Sequence, residues 1–436
     1  MFRKTQILSP KQGSLSRQGR SLWFPYYAGF SMTFVDTLLT TTHIEKSSHL
    51  LDPWNGSGTV TEAACRGSYP VAGVDLNPVM VVVARARCVS DRELPSLMPL
   101  GLEIIEHARR SKCAEDTDPL RVWVKPAAAT AFRSIECAIV KLLVQHSNSD
   151  KVGLVRDVDG FSDLASFYYL AMFRSLRSLL KGYYCSNPTW IKRPMDLDQR
   201  LSFTSCQVYA SFKNEVQFLL DHAGTSPSGF DTDVHIKLNS STNLDFGDSI
   251  FDLVVGSPPY CTRIDYAVAT SIELSALGYH PDSTLKVLRK SLMGTSTITR
   301  HNECQESDFG PACIKFIKAL AIHPSKASIS YYLPNHLQYF TALRQSTREL
   351  ARVLKVGGGC VLVVQDSFYK DIHNDLPKIV TEMCRIDGLR LRRREDFFLK
   401  RSMAGINPKV KVYRTGADAC ESVLCFEKLR EIPKSA

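Results

Sequence analysis

Ser257-Pro258-Pro259-Tyr260 sets a hydroxyl, two stiff imino acids and a phenol ring in four consecutive positions, directly after the apolar run Phe251 to Gly256. The chemistry that suits this quartet is the activation of a flat aromatic amine. An exocyclic amino nitrogen on a nucleobase is a poor nucleophile, because its lone pair is delocalised into the ring. Acceptors for both of its N–H groups favour a pyramidal nitrogen with an available lone pair. Ser257 offers its hydroxyl oxygen and Pro258 its carbonyl. Pro258 and Pro259 stiffen the segment, so these acceptors are preorganised. Tyr260 supplies a face on which an extruded base stacks.

A second element lies far upstream, at Asp52-Pro53-Trp54-Asn55-Gly56-Ser57-Gly58-Thr59. Gly56 and Gly58 stand where a strand turns into a helix, and such a turn needs residues without Cβ so that backbone approaches a ligand closely. Asp52 is placed to accept hydrogen bonds from a ligand amine, with Pro53 and Thr59 beside it. Asp75 ends the next strand-like run, where an acid pairs with ribose hydroxyls in nucleotide-binding α/β folds. The loop has neither the GxGxxG order of a dinucleotide site nor the Lys-Ser/Thr ending of a phosphate-cradling loop. A ligand with an amino acid end and a ribose but no phosphate fits better, and S-adenosylmethionine is such a ligand. Its sulfonium is already activated, so the reaction needs positioning rather than a metal or a covalent intermediate.

The elements that must hold these two loops follow from periodicity. Strands are expected at 49–51, 71–75, 234–238, 251–255, 360–364, 389–391 and 423–426. Helices are expected at 33–39, 59–65, 127–145, 164–180, 337–354 and 376–384, with Gly357-Gly358-Gly359 ending the fifth of them. Alternating strands and helices imply a mostly parallel seven-stranded sheet with helices on both faces, an α/β fold of Rossmann-like type with a helical insertion. The expected division is a flexible basic arm over 1–20, a cofactor-binding part over 21–95, the helical insertion over 96–231 and a catalytic part over 232–436. The aromatic pairs at Tyr168-Tyr169 and Tyr183-Tyr184 read as core.

The chain has 436 residues, 44% hydrophobic and 22% charged, which suits one large α/β domain with an insertion and excludes global disorder. A formal charge of +10 suits a polyanionic partner. The 13 cysteines show no CxxC pair and no ligand spacing, so reduced thiols and no metal site are expected. No stretch reaches the roughly 18–20 apolar residues of a membrane span, and no signal peptide heads the chain. A cytoplasmic protein without a membrane partner is expected.

At these residues the chain resembles the amino-methyltransferases of DNA, which modify cytosine at N4 or adenine at N6. DPWNGSGT is similar to their cofactor motif, GVDLNP to the acidic motif after it, and FDLVVGSPPY to their catalytic motif. RVLKVGG at 352–358 resembles a helix end usual in the family. FPYYAGFS lies where the family has its N-terminal cofactor-contacting element, which implies a contact from Tyr27. The resemblance spans about 22–90 and 234–427. It implies S-adenosylmethionine as cofactor, held by Asp52, Pro53, Gly56, Gly58, Thr59, Asp75 and Tyr27. It implies a flipped base held by Ser257, Pro258, Pro259 and Tyr260, double-stranded DNA as partner, and a cognate restriction enzyme beside it. Serine at the first catalytic position leans toward cytosine N4. The family's next acidic position falls here at Asn239 or Ser240.

Adenine N6 is the alternative within the family. An RNA guanine-N2 or adenine-N6 methyltransferase, or a silent nucleic-acid-binding protein, is the alternative outside it. Carbon-5 cytosine chemistry uses a Cys after Pro, and no Pro-Cys dipeptide occurs. For the nucleic acid, Arg263 after the catalytic motif, with Asp265 as its partner, and the cluster Arg392, Arg393, Arg394, Lys400 and Arg401 are the expected phosphate contacts. The 96–231 insertion, standing between the two motifs, is the expected target-recognition lobe.

Overall fold

The computed structural model describes residues 2–11, 18–26, 29–111, 113, 115–144, 155–185, 187, 190–224, 232–261, 264–298, 306–399 and 419–429. In chain order the elements are α1 (Met32–Thr41), β1 (Leu50–Asp52), α2 (Thr59–Arg66), β2 (Val71–Asp75) and α3 (Pro78–Ala86). Four long helices follow: α4 (Leu94–Arg110), α5 (Pro126–Leu143), α6 (Asp163–Leu179) and α7 (Ser205–Asp221). Then come β3 (Val234–Leu238), β4 (Phe251–Gly256), α8 (Tyr266–Ala269), α9 (Ser271–Ala276), α10 (Thr284–Ser291), α11 (Pro311–Ile322) and α12 (Leu333–Val353). The chain closes with β5 (Leu354–Gln365), the hairpin β6 (Ser367–Tyr369) and β7 (Ile372–Asn374), α13 (Leu376–Ile386), β8 (Leu389–Leu399) and β9 (Ala419–Lys428).

Seven strands form one sheet in the order β3-β2-β1-β4-β5-β9-β8. The first five run parallel, and β9 pairs antiparallel with both β5 and β8. Each expected strand is present. Parallel strands are covered on both sides, and the period of two shows where each side chain goes. Leu50, Val71, Leu253, Val255, Val361 and Val363 pack with Phe34, Leu38 and Val60 of α1 and α2. Leu51, Ala72, Val254, Leu362 and Val364 pack instead with Leu343 and Leu350 of α12 and Ile379 of α13. Local chemistry starts the helices. Ser31 accepts from Phe34 N at 3.1 Å and Asn77 accepts from Val79 N at 3.1 Å, with Pro78 opening α3.

Two expectations need correction. Residues 2–11 do not project as an arm. Phe2 is buried with Phe34 and Leu38, Lys11 bridges Phe30, and the Pro10 carbonyl accepts from Ser31 N at 2.9 Å. An apolar residue near the end of the chain and a free backbone edge outweigh the polar composition around them. The Gly-rich run does not end the helix either. Helix α12 stops at Val353, β5 starts at Leu354, and Gly357 lies inside β5 with a φ of +80°. Between Phe251–Leu354 and Leu253–Gly359 the register with β4 shifts, so the strand carries extra residues there.

The insertion shares one core with α3 and α9. Val79, Val82 and Val83 of α3 pack in the same cluster as Ile104, Phe132, Phe167, Tyr168, Tyr169 and Phe212. It also encloses a buried charged pair. Arg133 donates to both oxygens of Asp118, at 2.9 and 3.0 Å, and to the Ala276 carbonyl at 3.0 Å, with both charged side chains at 5% exposure or less. Breaking such a pair strands a buried charge. Asp118→Ala is expected to destabilise the protein by about 3–5 kcal/mol, read from the shift of its urea unfolding midpoint at constant m-value.

Candidate active site

Strand β1 ends at Asp52, and the chain turns through Pro53 to Gly58 into α2. Gly56 takes φ +48° and Gly58 φ +83°. A Cβ on Gly58 would lie 2.8 Å from Ala84 Cβ, so only glycine lets α3 close against the turn. Asn55 braces the loop from below. Its N–H donates to the Val74 carbonyl at 2.9 Å, and its Oδ1 accepts from the Thr61 hydroxyl at 3.2 Å. Its carboxamide lies over Gly73, where a Cβ would come within 2.6 Å of it. Gly73 is therefore a supporting residue that strand periodicity alone did not single out.

Two carboxylates frame this loop. Asp75 Oδ2 accepts from Gly56 N and Oδ1 from Asn77 N, both at 2.8 Å. Asp52 Oδ1 accepts from Trp54 N at 3.0 Å. Burial pushes the Asp52 carboxyl up to about 8, against the pull of the Trp54 N–H, with the charge of Asp75 adding to the rise. Burial also pushes Asp75 up to about 6, opposed by the N–H groups of Asn77, Gly56 and Leu76. Both acids are thus set to gain from a cationic or hydroxyl-bearing partner.

Strand β4 lies beside β1 in parallel, with Leu51 opposite Val254, so both strands end at the same edge of the sheet. The two loops touch: a Cβ on Gly256 would lie 3.0 Å from Pro53 Cδ and 3.2 Å from Asp52 Oδ1. The Ser257 hydroxyl donates to the Val363 carbonyl at 2.8 Å. Its proton is committed there, so its oxygen is left as an acceptor. The Tyr339 phenol donates to the Pro259 carbonyl at 3.0 Å. Tyr266 stands on the wall of the same cavity as Tyr260. Gly294, at φ +77°, backs onto the Tyr260 carbonyl, which a Cβ would meet at 2.8 Å.

The two loops line a single cavity of about 240 Å³. Asp52, Pro53, Gly56, Thr59 and Asp75 stand on its wall with Ser257, Pro258, Pro259 and Tyr260. Gly58 is not on the wall and acts through the turn. Asn239 and Ser240 also line the cavity, where the family resemblance placed an acid. Sequence reasoning missed Tyr26, Tyr266, Leu292, Met293 and Gln345, which also line the wall. The FPYY cluster was the signal for Tyr26, whereas the others come from distant segments and carry no local signature.

Of the expected nucleic-acid contacts, the described residues include Arg392, Arg393 and Arg394. Tyr27, Arg263, Lys400 and Arg401 lie outside the described residues. Asp265 pairs with Arg289 and caps α8 by accepting from Val268 N at 3.1 Å. Arg392, Arg393 and Arg394 lie on edge strand β8, where successive side chains point to opposite faces. Each pairs with an acid: Glu427 at 2.9 Å, Glu395 at 2.8 Å and Asp396 at 2.8 Å. Arg393 also donates to the Thr5 carbonyl at 2.6 Å. Each of these three arginines thus has a carboxylate beside it. Among the described residues no group of three His, Cys, Asp or Glu is arranged to hold a metal ion.

The close approach at Gly58 is testable. Gly58→Ala adds backbone strain and a clash, so a loss of about 2–4 kcal/mol is expected by urea unfolding. Gly160→Ala, with nothing within 4 Å of its Cβ, should stay within about 0.5 kcal/mol of wild type.

No family model matches the chain. The Type II methyltransferases M.AvaI of a Nostoc species and of Anabaena variabilis are each 23% identical to it over 301 residues, covering 59% of this chain and 53% of theirs. The chain spans about half the length of the curated relatives it matches. Among solved structures, a SAM-dependent methyltransferase from Methanosarcina mazei is 11% identical, with a TM-score of 0.30, over 90% of this chain and 98% of that one. A TehB-like SAM-dependent methyltransferase from Corynebacterium glutamicum is 8% identical, with a TM-score of 0.28, over 90% and 87%.

Proposed function

We propose that this protein is an S-adenosylmethionine-dependent methyltransferase acting on the exocyclic amine of a flipped base in double-stranded DNA, with cytosine N4 the favoured target. The observation that carries the reading is the meeting of the two loops in one cavity. The kinship to a Type II methyltransferase, partial as it is, supports DNA as the acceptor.

The residues fit the cofactor. The glycines leave room for a ligand against backbone, and two carboxylates raised by burial favour a cation and a pair of hydroxyls. Asp52 would take the ammonium of the amino acid end, Asp75 the ribose hydroxyls, and Gly56, Pro53 and Thr59 the surface between them. When bound, the cofactor would supply an electrophilic methyl group, passed from sulfur to the amine nitrogen with loss of one N–H proton to solvent.

The chain's own part is to hold the amine. Ser257 Oγ, its proton spent on Val363, accepts one N–H, and the Pro258 carbonyl accepts the other. Tyr260 stacks on the base. Tyr339 and Gly294 hold the loop's backbone from behind, so little reorganisation accompanies the reaction. The 96–231 insertion would face the target strand, because it anchors the segment that forms the far wall of the cavity.

Incubation with DNA and labelled cofactor, followed by nucleoside analysis, is expected to yield N4-methylcytosine. Tyr260→Ala should lower kcat at least a hundredfold, about 3 kcal/mol of transition-state stabilisation. Finding N6-methyladenine would move the base assignment alone. Methylation at carbon 5, transfer only to RNA, or full activity of Tyr260→Ala would overturn the reading.

Cofactor affinity should depend on pH in one direction. Below about 8 the Asp52 carboxyl holds its proton in the free protein and must release it to pair with a cation. Affinity is therefore expected to fall as pH drops from 8 to 6, by up to tenfold per unit, with proton release visible by calorimetry in buffers of different ionisation enthalpy. Asp52→Asn should bind more weakly, with a flat profile. An unchanged wild-type affinity across that range removes the ammonium contact from Asp52.

A further inference from the structure

Leu292 and Met293 line the cavity with Tyr260, yet they belong to neither loop and lie between α10 and α11, outside any helix or strand. Within their segment, Thr295 N donates to the Leu292 carbonyl at 3.3 Å and Thr297 N to the Thr295 hydroxyl at 3.2 Å. The three carbonyls of 295–297 are each met by a side chain from one helical stretch. Asn335 Nδ2 donates to the Thr295 carbonyl at 2.8 Å, the Tyr331 phenol to the Ser296 carbonyl at 3.1 Å, and Gln338 Nε2 to the Thr297 carbonyl at 3.3 Å. Tyr331 stands in the π-helical turn Ser328–Tyr332 that runs into α12, and Asn335 and Gln338 follow at steps of four and three, so the donors form one stripe. The stripe continues along α12. Tyr339 donates to the Pro259 carbonyl at 3.0 Å, Ala342 and Gln345 stand on the cavity wall, and the Ser346 hydroxyl lies 2.9 Å from that of Ser241, another wall residue. Arg289, paired with Asp265, donates to the Ser296 hydroxyl at 3.0 Å.

Carbonyls outside a helix or sheet find their partners in side chains or water, and a segment satisfied by water alone keeps many conformations. Three donors on one helix remove that freedom. Asn335 is the costly member of the set. It is 2% exposed, and its Oδ1 has no hydrogen-bond partner among the described residues. An apolar side chain of the same shape would be buried there without stranding an acceptor. What the carboxamide contributes is the place of Thr295, which adjoins Gly294, the residue packed against the Tyr260 carbonyl. We infer that Asn335, with Tyr331 and Gln338, is a positioning residue: it holds 292–297 so that Leu292 and Met293 form a fixed apolar wall beside Tyr260, and the slot for the base exists before the base arrives. The same stripe bonds the Pro259 carbonyl, so α12 sets the spacing between the catalytic motif and that wall. The inference deepens the methyltransferase reading and rests on it.

The test uses Asn335→Ala and Asn335→Leu, the second of which keeps the bulk without the donor. Leu350→Val, in the core at the far end of α12, is the control for loss of stability alone. In the first arm the methionine methyl groups are labelled with 13C, and the Met293 signal is assigned by its disappearance in Met293→Leu. That signal is expected to move in both Asn335 variants and to stay in place in Leu350→Val, whether or not the protein is active. In the second arm methyl transfer to DNA is measured. Both Asn335 variants should lower kcat/KM for DNA at least tenfold while the cofactor dissociation constant stays within twofold, and Leu350→Val should change neither by more than twofold. An unmoved Met293 signal, an unchanged kcat/KM, a cofactor affinity that falls by the same factor, or an equal loss in Leu350→Val would overturn the inference. A wild-type protein that transfers no methyl group overturns the functional reading instead, and the methionine arm then still decides whether Asn335 holds the wall.

Discussion

The site depends on the reversal of strand order between β1 and β4. From β1 the chain crosses to β2 on one side, and β4 lies on the other, so the loops leaving these two strands part from each other at the same edge. An open parallel sheet leaves a crevice at such a point, and ligands bind there. Everything that bears on chemistry follows from this placement. The glycines of the first loop clear the crevice, and Gly256 lets the second loop come against Pro53 and Asp52. A side chain at position 256 would drive apart the two loops that have to meet.

That crevice has an electrostatic consequence. Asp52 and Asp75 are both under protein cover, and each is stabilised by backbone N–H groups rather than by a basic side chain. For Asp52, whose proton affinity is raised to about 8, the folded state holds the proton more tightly than the unfolded chain does. Its contribution to stability is then complete below the ordinary carboxylate range and is lost as pH rises through about 8. A cation bound between the acids reverses the balance, since it stabilises the ionised form. The free site is in this sense poised for a positively charged ligand, and ligand binding and folding stability are coupled there.

Much of this was legible in the chain. The central parallel strands β1, β2, β4 and β5 are readable because they are covered on both faces and so appear as short apolar runs. The two loops are readable because Gly56, Gly58 and the Pro258-Pro259 pair break those runs in ways that ordinary turns seldom combine. What was not legible depends on contacts far apart in sequence. Gly73 looks like any strand residue until Asn55 is laid over it. Phe2 is one apolar residue in a polar segment until α1 offers it a surface. The arginines at 392–394 read as a basic patch, because composition does not show that a strand alternates them or that Glu427, Glu395 and Asp396 stand beside them.

The helical insertion fits the same logic. Trp123 donates to the Ser275 hydroxyl at 2.9 Å, Arg133 to the Ala276 carbonyl at 3.0 Å, and Arg193 pairs with Asp282 at 2.6 Å. Arg177 pairs with the fully buried Glu273. These bonds all reach the segment that follows the catalytic motif, the segment whose Tyr266, Leu292 and Met293 line the cavity. Buried pairs of this kind are weak evidence for added stability, because desolvation offsets their attraction. Their directional geometry instead fixes how one element sits on another. An insertion that only bore on a nucleic acid would not need a core continuous with α3, nor paired charges aimed at α9. It sets the far wall of the crevice, so a change deep in the insertion would reach the cavity through Tyr266 and Met293.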